Sequence, residues 1–214
     1  MYESALKLLK EIEKNGFKVY IVGGYPRDKY LNKKSTDIDI CTNAKVEDLE
    51  KLFKNINTKY KNYGNCIINI DGYSFEVTTF RKEKYLKNRN DLKIEFIDKL
   101  KKDLKRRDFT INTLCIDSNG NYIDLMHARY DMDKKIIKLI GKIERLKDDP
   151  LRILRAIRFA TNYNLKLDDY LIKGIKKYSY LLKNVSQNKI NEELIKMNNL
   201  ELIKKYKLNK YIEK

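Results

Sequence analysis

The chain is predicted to be α+β: a head of small mixed sheet and flanking helices over residues 1–140, then an all-helical segment over 141–214. Three observations predict this. An apolar run Val19–Val22 meets a Gly23-Gly24 turn, a short helical stretch and a second apolar run around Asp37-Ile38-Asp39. Two runs with strand character, 66–70 and 73–79, flank Asp71-Gly72, a strong hairpin signal. Beyond about Asp148 no strand pattern recurs.

Taken in order, Ala5, Leu8, Leu9 and Ile12 fall on one face of a helix over residues 2–15, and Gly16 stops it. Val19–Val22 is then a buried strand, and Pro26 opens the short helix after the diglycine turn. The strand that follows carries Asp37 and Asp39. Val46, Leu49, Leu52 and Phe53 mark another amphipathic helix. Residues 81–98 lack a period and are rich in Lys, Asn and Arg, so they are expected to be a mobile basic loop, with Arg89 and Asp91 its candidates for polar contacts. Residues 99–105 form a basic helical turn. The apolar run after Phe109, an Asn119-Gly120 turn and Tyr122-Ile123 make a second hairpin, and 136–140 a short strand before Gly141.

Composition narrows the chemistry. Of 214 residues, 47 are basic and 30 acidic, a formal net charge of +17. Such a field attracts polyanions, nucleic acid first, although Lys, Asn, Ile and Tyr are also abundant in the way a compositional bias produces. Cys41, Cys66 and Cys115 sit singly in apolar runs, which argues against disulfides and zinc and for a reducing compartment. His127 is the only histidine, which disfavours a zinc centre or a Ser-His triad. No apolar run reaches membrane-spanning length and no signal peptide is evident, so a cytoplasmic chain that avoids membranes is expected.

Strand side chains alternate faces, so Asp37 and Asp39 project together while Ile38 and Ile40 point to the core. Two adjacent carboxylates repel unless a cation lies between them, and oxygen ligands of this kind suit Mg²⁺. The Gly23-Gly24 turn lets backbone N–H groups approach an anion, so the combination is a pocket for a metal-bound triphosphate. Glu76, in the second strand of the first hairpin, can reach the same face as a third carboxylate or can be an ordinary solvent-facing residue. Asp131-Met132-Asp133 repeats the acidic triplet in a charged, non-strand context, where it is a solvated surface.

Three ordered stretches, GGYPRDKYLNKKSTDIDICTNA from Gly23, RRDFTIN at Arg106–Asn112 and DDPLRILRAIRFA at Asp148–Ala160, carry a family resemblance. The chain is similar to the class II tRNA nucleotidyltransferases and bacterial poly(A) polymerases, within the polymerase-β-like nucleotidyltransferases. The resemblance implies a catalytic head followed by a helical neck. It makes Asp37 and Asp39 the catalytic metal ligands, Gly23, Gly24 and Arg27 the triphosphate cradle, and Asp28 a structural residue. Arg107, Asp108 and Asn112 then contact the ribose. Arg89 and Asp91 fall where such proteins carry a flexible loop.

Asp149 and Arg152, one turn apart at the start of a helix that Pro150 pre-shapes, match the base-selecting pair. Cytosine and adenine each set an amine donor beside a ring-nitrogen acceptor, so one carboxylate and one guanidinium accept both and refuse uracil and guanine. Asp148 stands where the family usually has Glu. Arg155 and Arg158 follow at helical spacing as contacts for triphosphate or RNA backbone, and Lys189 and Glu193 as supports.

The implied activity is template-independent addition of CCA to the tRNA 3′ end from CTP and ATP. A CC-only or A-only adder and a poly(A) polymerase share the motifs, and a non-catalytic RNA-binding remnant is the alternative from another class. Family members are longer, with body and tail helices that grip tRNA. Here a homo-oligomer, a partner chain, or the Lys-rich surfaces 82–105 and 196–214 are expected to substitute.

Overall fold

The computed structural model describes residues 1–86 and 91–212, so Arg89 lies outside the described residues. The chain divides into two compact units. The first comprises Met1–Lys84, Lys93–Arg107 and Ile111–Arg129; the second comprises Tyr85–Leu92, Asp108–Thr110 and Tyr130–Lys214.

The first unit begins with α1 (Tyr2–Lys14), β1 (Val19–Val22), α2 (Gly24–Tyr30), β2 (Asp39–Thr42) and α3 (Val46–Leu52). Next come β3 (Ile56–Asn57), β4 (Asn65–Ile70), β5 (Tyr73–Thr79), β6 (Arg81–Tyr85), β7 (Leu92–Phe96), α4 (Leu100–Leu104), β8 (Cys115–Ile116) and β9 (Tyr122–Ile123). Seven strands form one sheet in the order β3-β4-β5-β2-β1-β8-β9, with only β2 and β5 running parallel. Leu8, Leu9 and Ile12 of α1 are wholly buried against Ile21, Ile40 and Val77 of the sheet. Each such side chain contributes about 1.5–3 kcal/mol of burial. The other sheet face buries Val22, Cys41, Phe80, Leu104 and Cys115. Asp71 and Gly72 both take positive φ, 50° and 78°, the backbone of a type I′ turn, and fix the β4–β5 register.

In the second unit the main helices are α7 (Leu151–Tyr163), α8 (Asp169–Tyr178) and α9 (Gln187–Leu194), preceded by α5 (Ala128–Asp133), β10 (Ile136–Ile137) and α6 (Arg145–Asp148). A short β11 (Lys166–Leu167) and two terminal helices, α10 (Glu201–Lys205) and α11 (Asn209–Ile212), complete it. Leu151, Leu154 and Ile157 line the buried face of α7, and Phe109 meets Phe159 edge-on at 5.9 Å.

Five expectations need correction. Pro26 is the third residue of α2 rather than its first, still within the turn whose N–H groups lack intrahelical acceptors. Asp37 precedes β2 by two residues, although burial still alternates from Asp37 to Ile40. Within the expected loop, Arg81–Tyr85 and Leu92–Phe96 pair as a two-stranded ribbon, β6 with β7. The second unit is not free of strand, because β11 pairs in parallel with β10, and that pairing draws residues 130–140 into it. Among the described residues of the expected Lys-rich surface 196–214, Ile203, Leu208 and Ile212 are buried, so that stretch is not surface throughout.

Candidate active site

Gly23 is the pivot of the first unit's site. Its φ of 85° and ψ of −122° suit glycine alone, and it caps α2 directly after β1. A Cβ built there would lie 3.5 Å from both Asp39 Oδ2 and Arg107 Nη1. The diglycine bend, one carboxylate and one guanidinium thus meet at a point. The sequence argument joined the first two; it assigned Arg107 to a separate ribose contact.

Asp39 opens β2 and is exposed, while Ile38 and Ile40 on either side are buried. Asp37 is exposed too, and its carboxylate accepts a long 3.3 Å bond from Thr36. Glu76 on β5 lies directly across the parallel ladder from Asp39. Desolvation raises the Asp39 carboxyl above its usual range, helped by the negative charges of Glu76 and Asp37 and opposed by Arg107. Glu76 is held aside by a hydrogen bond from the Asn65 side chain. Asn65 lies two residues from Ile67, the partner of Glu76, a diagonal that the hairpin register would have exposed had it been followed.

Among the described residues no three carboxylate, histidine or cysteine groups form a ready-made cation cage. Glu76 is the ladder neighbour of Asp39, with its carboxylate accepting from Asn65. Asp37 and Asp39 suit a divalent cation that takes its remaining oxygens from water and substrate phosphate, the usual habit of Mg²⁺. A cation bound there would offset the desolvation and the neighbouring Glu76 and Asp37 charges that raise the Asp39 carboxyl.

Arg27 is only 5% exposed. Its Nε and Nη2 donate to Asp28 Oδ1, each at 2.9 Å, and Nη1 donates to Asn112 Oδ1 at 2.5 Å. Arg27 thus braces the first turn of α2, with Asp28 and Asn112 as its partners.

Behind Arg107 lies a cluster that sequence reasoning missed. Asp103 on α4 is completely buried and accepts from the Arg81 N–H at 3.0 Å and from Arg106 Nε at 2.8 Å. Arg107 Nη2 lies 3.8 Å from Asp103 Oδ2, whose surroundings provide no hydrogen bond. Glu83 of β6 joins in, 2.8 Å from Arg81 Nη2 and 3.0 Å from Arg106 Nη1.

The second unit holds the other candidates. Asp108 accepts from Arg155 Nε at 2.7 Å and, through its other oxygen, from the Phe109 N–H at 2.8 Å. It is 7% exposed, so its carboxylate organises the start of the FTIN turn. Asp149 lies outside α7, in extended conformation, and its side chain accepts from the Leu151 N–H at 3.3 Å. The pair expected on one helical face is therefore a pre-helix residue and a first-turn residue. Arg152, 4% exposed, donates to the Arg145 carbonyl at 2.7 Å and to the Tyr85 hydroxyl at 3.3 Å, with its guanidinium 5.5 Å from the Tyr85 ring centre. Burial beside Arg152 pulls the Arg145 guanidinium down to about 10. Arg155 pairs with Asp108, and Arg158 with the buried Glu193 at 3.2 Å. Lys189 pairs instead with Glu192. Asp91 accepts from the Leu86 N–H through its backbone carbonyl, in the ribbon tip.

Residues 19–138 match the family model described as the poly(A) polymerase head domain. A CCA-adding enzyme of Enterococcus faecalis is 37% identical over 198 residues, which cover 92% of this chain and 49% of that protein. The solved CCA-adding enzyme of Bacillus stearothermophilus in complex with CTP superposes with a TM-score of 0.83 at 31% identity, over 91% of this chain and 48% of that one. A tRNA nucleotidyltransferase complexed with a primer tRNA and an incoming ATP analog gives a TM-score of 0.76 at 29% identity, over 95% and 61%. The chain spans about half the length of the curated relatives it matches. No described helix is long and apolar enough to cross a membrane.

Proposed function

Because the chain belongs to the poly(A) polymerase head-domain family, we propose that it transfers nucleotides from CTP and ATP to the 3′ end of tRNA, completing CCA. The meeting of Asp39, Arg107 and the Gly23 bend carries this reading. Nucleotidyl transfer needs an attacking hydroxyl made nucleophilic, an α-phosphate held in line, and the negative charge of the departing pyrophosphate offset. Asp37 and Asp39 would hold divalent cations, Mg²⁺ by the chemistry of their oxygens; bound there, the metal polarises hydroxyl and phosphate.

The chain's own residues do the rest. Arg107, positioned by Asp103, offers a cation beside the diglycine bend for the triphosphate or ribose of the incoming nucleotide. Arg27 and Asn112 keep the bend rigid from beneath. In the second unit Arg152 is oriented by the Arg145 carbonyl, and its 3.3 Å bond to Tyr85 is long enough to be exchanged for a ring nitrogen of cytosine or adenine. Asp149, whose bond to Leu151 is equally long, is our acceptor for the exocyclic amine. We assign Asp108 to holding Arg155 rather than to the ribose.

The test is incubation of tRNA lacking its 3′ terminus with CTP, ATP or both, with products sized. CCA addition gives three nucleotides and a stop, whereas a long A tract identifies a poly(A) polymerase and overturns the assignment. Asp39→Ala should retain the thermal midpoint and lose activity by about 10³-fold or more, as expected when metal-held charge stabilisation is removed.

A further inference from the structure

We propose that the turn at residues 58–64 is a stacking platform for the unpaired 3′ end of the RNA primer, with Tyr60 and Tyr63 as its rings. The inference rests on the nucleotidyl-transfer reading and adds the place where the second substrate is received.

Tyr60 and Tyr63 are 53% and 54% exposed, two aromatic rings on a single tight turn. Isolated exposed aromatics are ordinary, but these stand on a backbone fixed from below. Lys61 N donates to Thr58 O at 2.9 Å, Tyr63 N to Tyr60 O at 2.9 Å, and Gly64 N to Lys61 O at 2.8 Å. Arg81 donates to the Tyr63 carbonyl, and Thr79 N donates to the Gly64 carbonyl at 2.7 Å. Gly64, at φ 69°, packs so closely on Phe96 that a Cβ there would collide with the ring. The main chain is spoken for while the rings face solvent, so they are presented at little further entropic cost.

The charge around them points to the occupant. Residues 51–70 contain four lysines, Lys51, Lys54, Lys59 and Lys61, and no aspartate or glutamate. Lys59 Nζ stands 5.5 Å from the Tyr60 ring centre. Aromatic rings interleaved with lysines, with no fixed base-edge readers, are what single-stranded nucleic acid needs: any base stacks and the backbone is neutralised. Location supplies the other argument. Asn65, the next residue after Gly64, donates to Glu76, and Glu76 is the ladder partner of Asp39. The two rings thus stand on the turn that leads into β4, one strand from Glu76 and two from Asp39.

Steady-state kinetics of the full chain test this, comparing Tyr60→Ala/Tyr63→Ala with Tyr60→Phe/Tyr63→Phe. The alanine pair removes two stacking partners and should raise KM for tRNA lacking CCA by about 30-fold or more. It should leave the KM for CTP and the thermal midpoint unchanged, and the phenylalanine pair should restore the primer KM. A primer KM within twofold of wild type, or a CTP KM that rises in step with it, overturns the platform. Should the wild-type chain add no nucleotide, the transfer reading itself fails. Fluorescence anisotropy with a labelled single strand ending in the tRNA discriminator base still decides the platform, which falls if the alanine pair binds as wild type does.

Discussion

At the scale of single residues the first unit separates charges that work at the surface from groups that must stay neutral inside. Asp37 and Asp39 remain exposed on one side of their segment, where a cation and solvent reach them. Cys66, one strand away from Glu76, is 1% exposed, and burial pushes its thiol up to about 12, with a smaller push from Glu50. An unfolded thiol ionises near 9. The folded state therefore holds a proton that the unfolded state releases between these values. The stability this provides is complete below pH 9 and is lost as pH rises toward 12. Between pH 8 and pH 10 the loss is about 1.4 kcal/mol. Urea unfolding of wild type and Cys66→Ala at both pH values checks it: tyrosine ionisation affects both proteins alike, so the stability difference between them should shift by that amount. A difference independent of pH would mean that the thiol is solvated.

At the scale of elements the ribbon β6–β7 depends on charge rather than on apolar burial. Asp103, Arg81, Arg106 and Glu83 are packed where hydrophobic side chains usually lie, with Asp103 wholly out of water. Breaking one partner of a buried pair leaves the others uncompensated, so Asp103→Asn should cost about 3–5 kcal/mol. Chemical denaturation reads this directly. The companion Asp103→Asn/Arg106→Gln variant should cost less than the sum of the two single changes.

This cluster also explains what the sequence hid. Arg81-Lys82-Glu83-Lys84-Tyr85 alternates half-buried with exposed positions as any strand does, but the inner Arg81 and Glu83 are charged, so no hydrophobic period marks the strand. By contrast Ile38 and Ile40 framed the aspartates, and Asp71-Gly72 set the hairpin, so that half of the site was legible from apolar alternation and one turn. The pairing of Arg27 is hidden for a related reason: a short motif names an arginine but does not reveal that Asp28 and Asn112 hold its guanidinium.

At the scale of the whole molecule the motifs do not respect the division into units. Arg107 belongs to the first and Asp108, the next residue, to the second, so the RRD triplet is a covalent junction with each side tied into its own network. Spread across both units is the net charge of +17, much of it on exposed lysines. A field of that sign would draw tRNA, the proposed substrate, by displacing counterions, and the apparent affinity would then fall as a power of salt concentration. Each neutralised duplex phosphate contributes about 0.9 to the slope, so three contacts weaken binding roughly 40-fold between 50 and 200 mM salt. Filter binding of tRNA across that range should reach at least this loss, and reversing Lys59 and Lys61 to Glu should flatten the slope while leaving the thermal midpoint in place. An affinity that scarcely moves with salt would mean that these lysines reflect composition and not a polyanion partner.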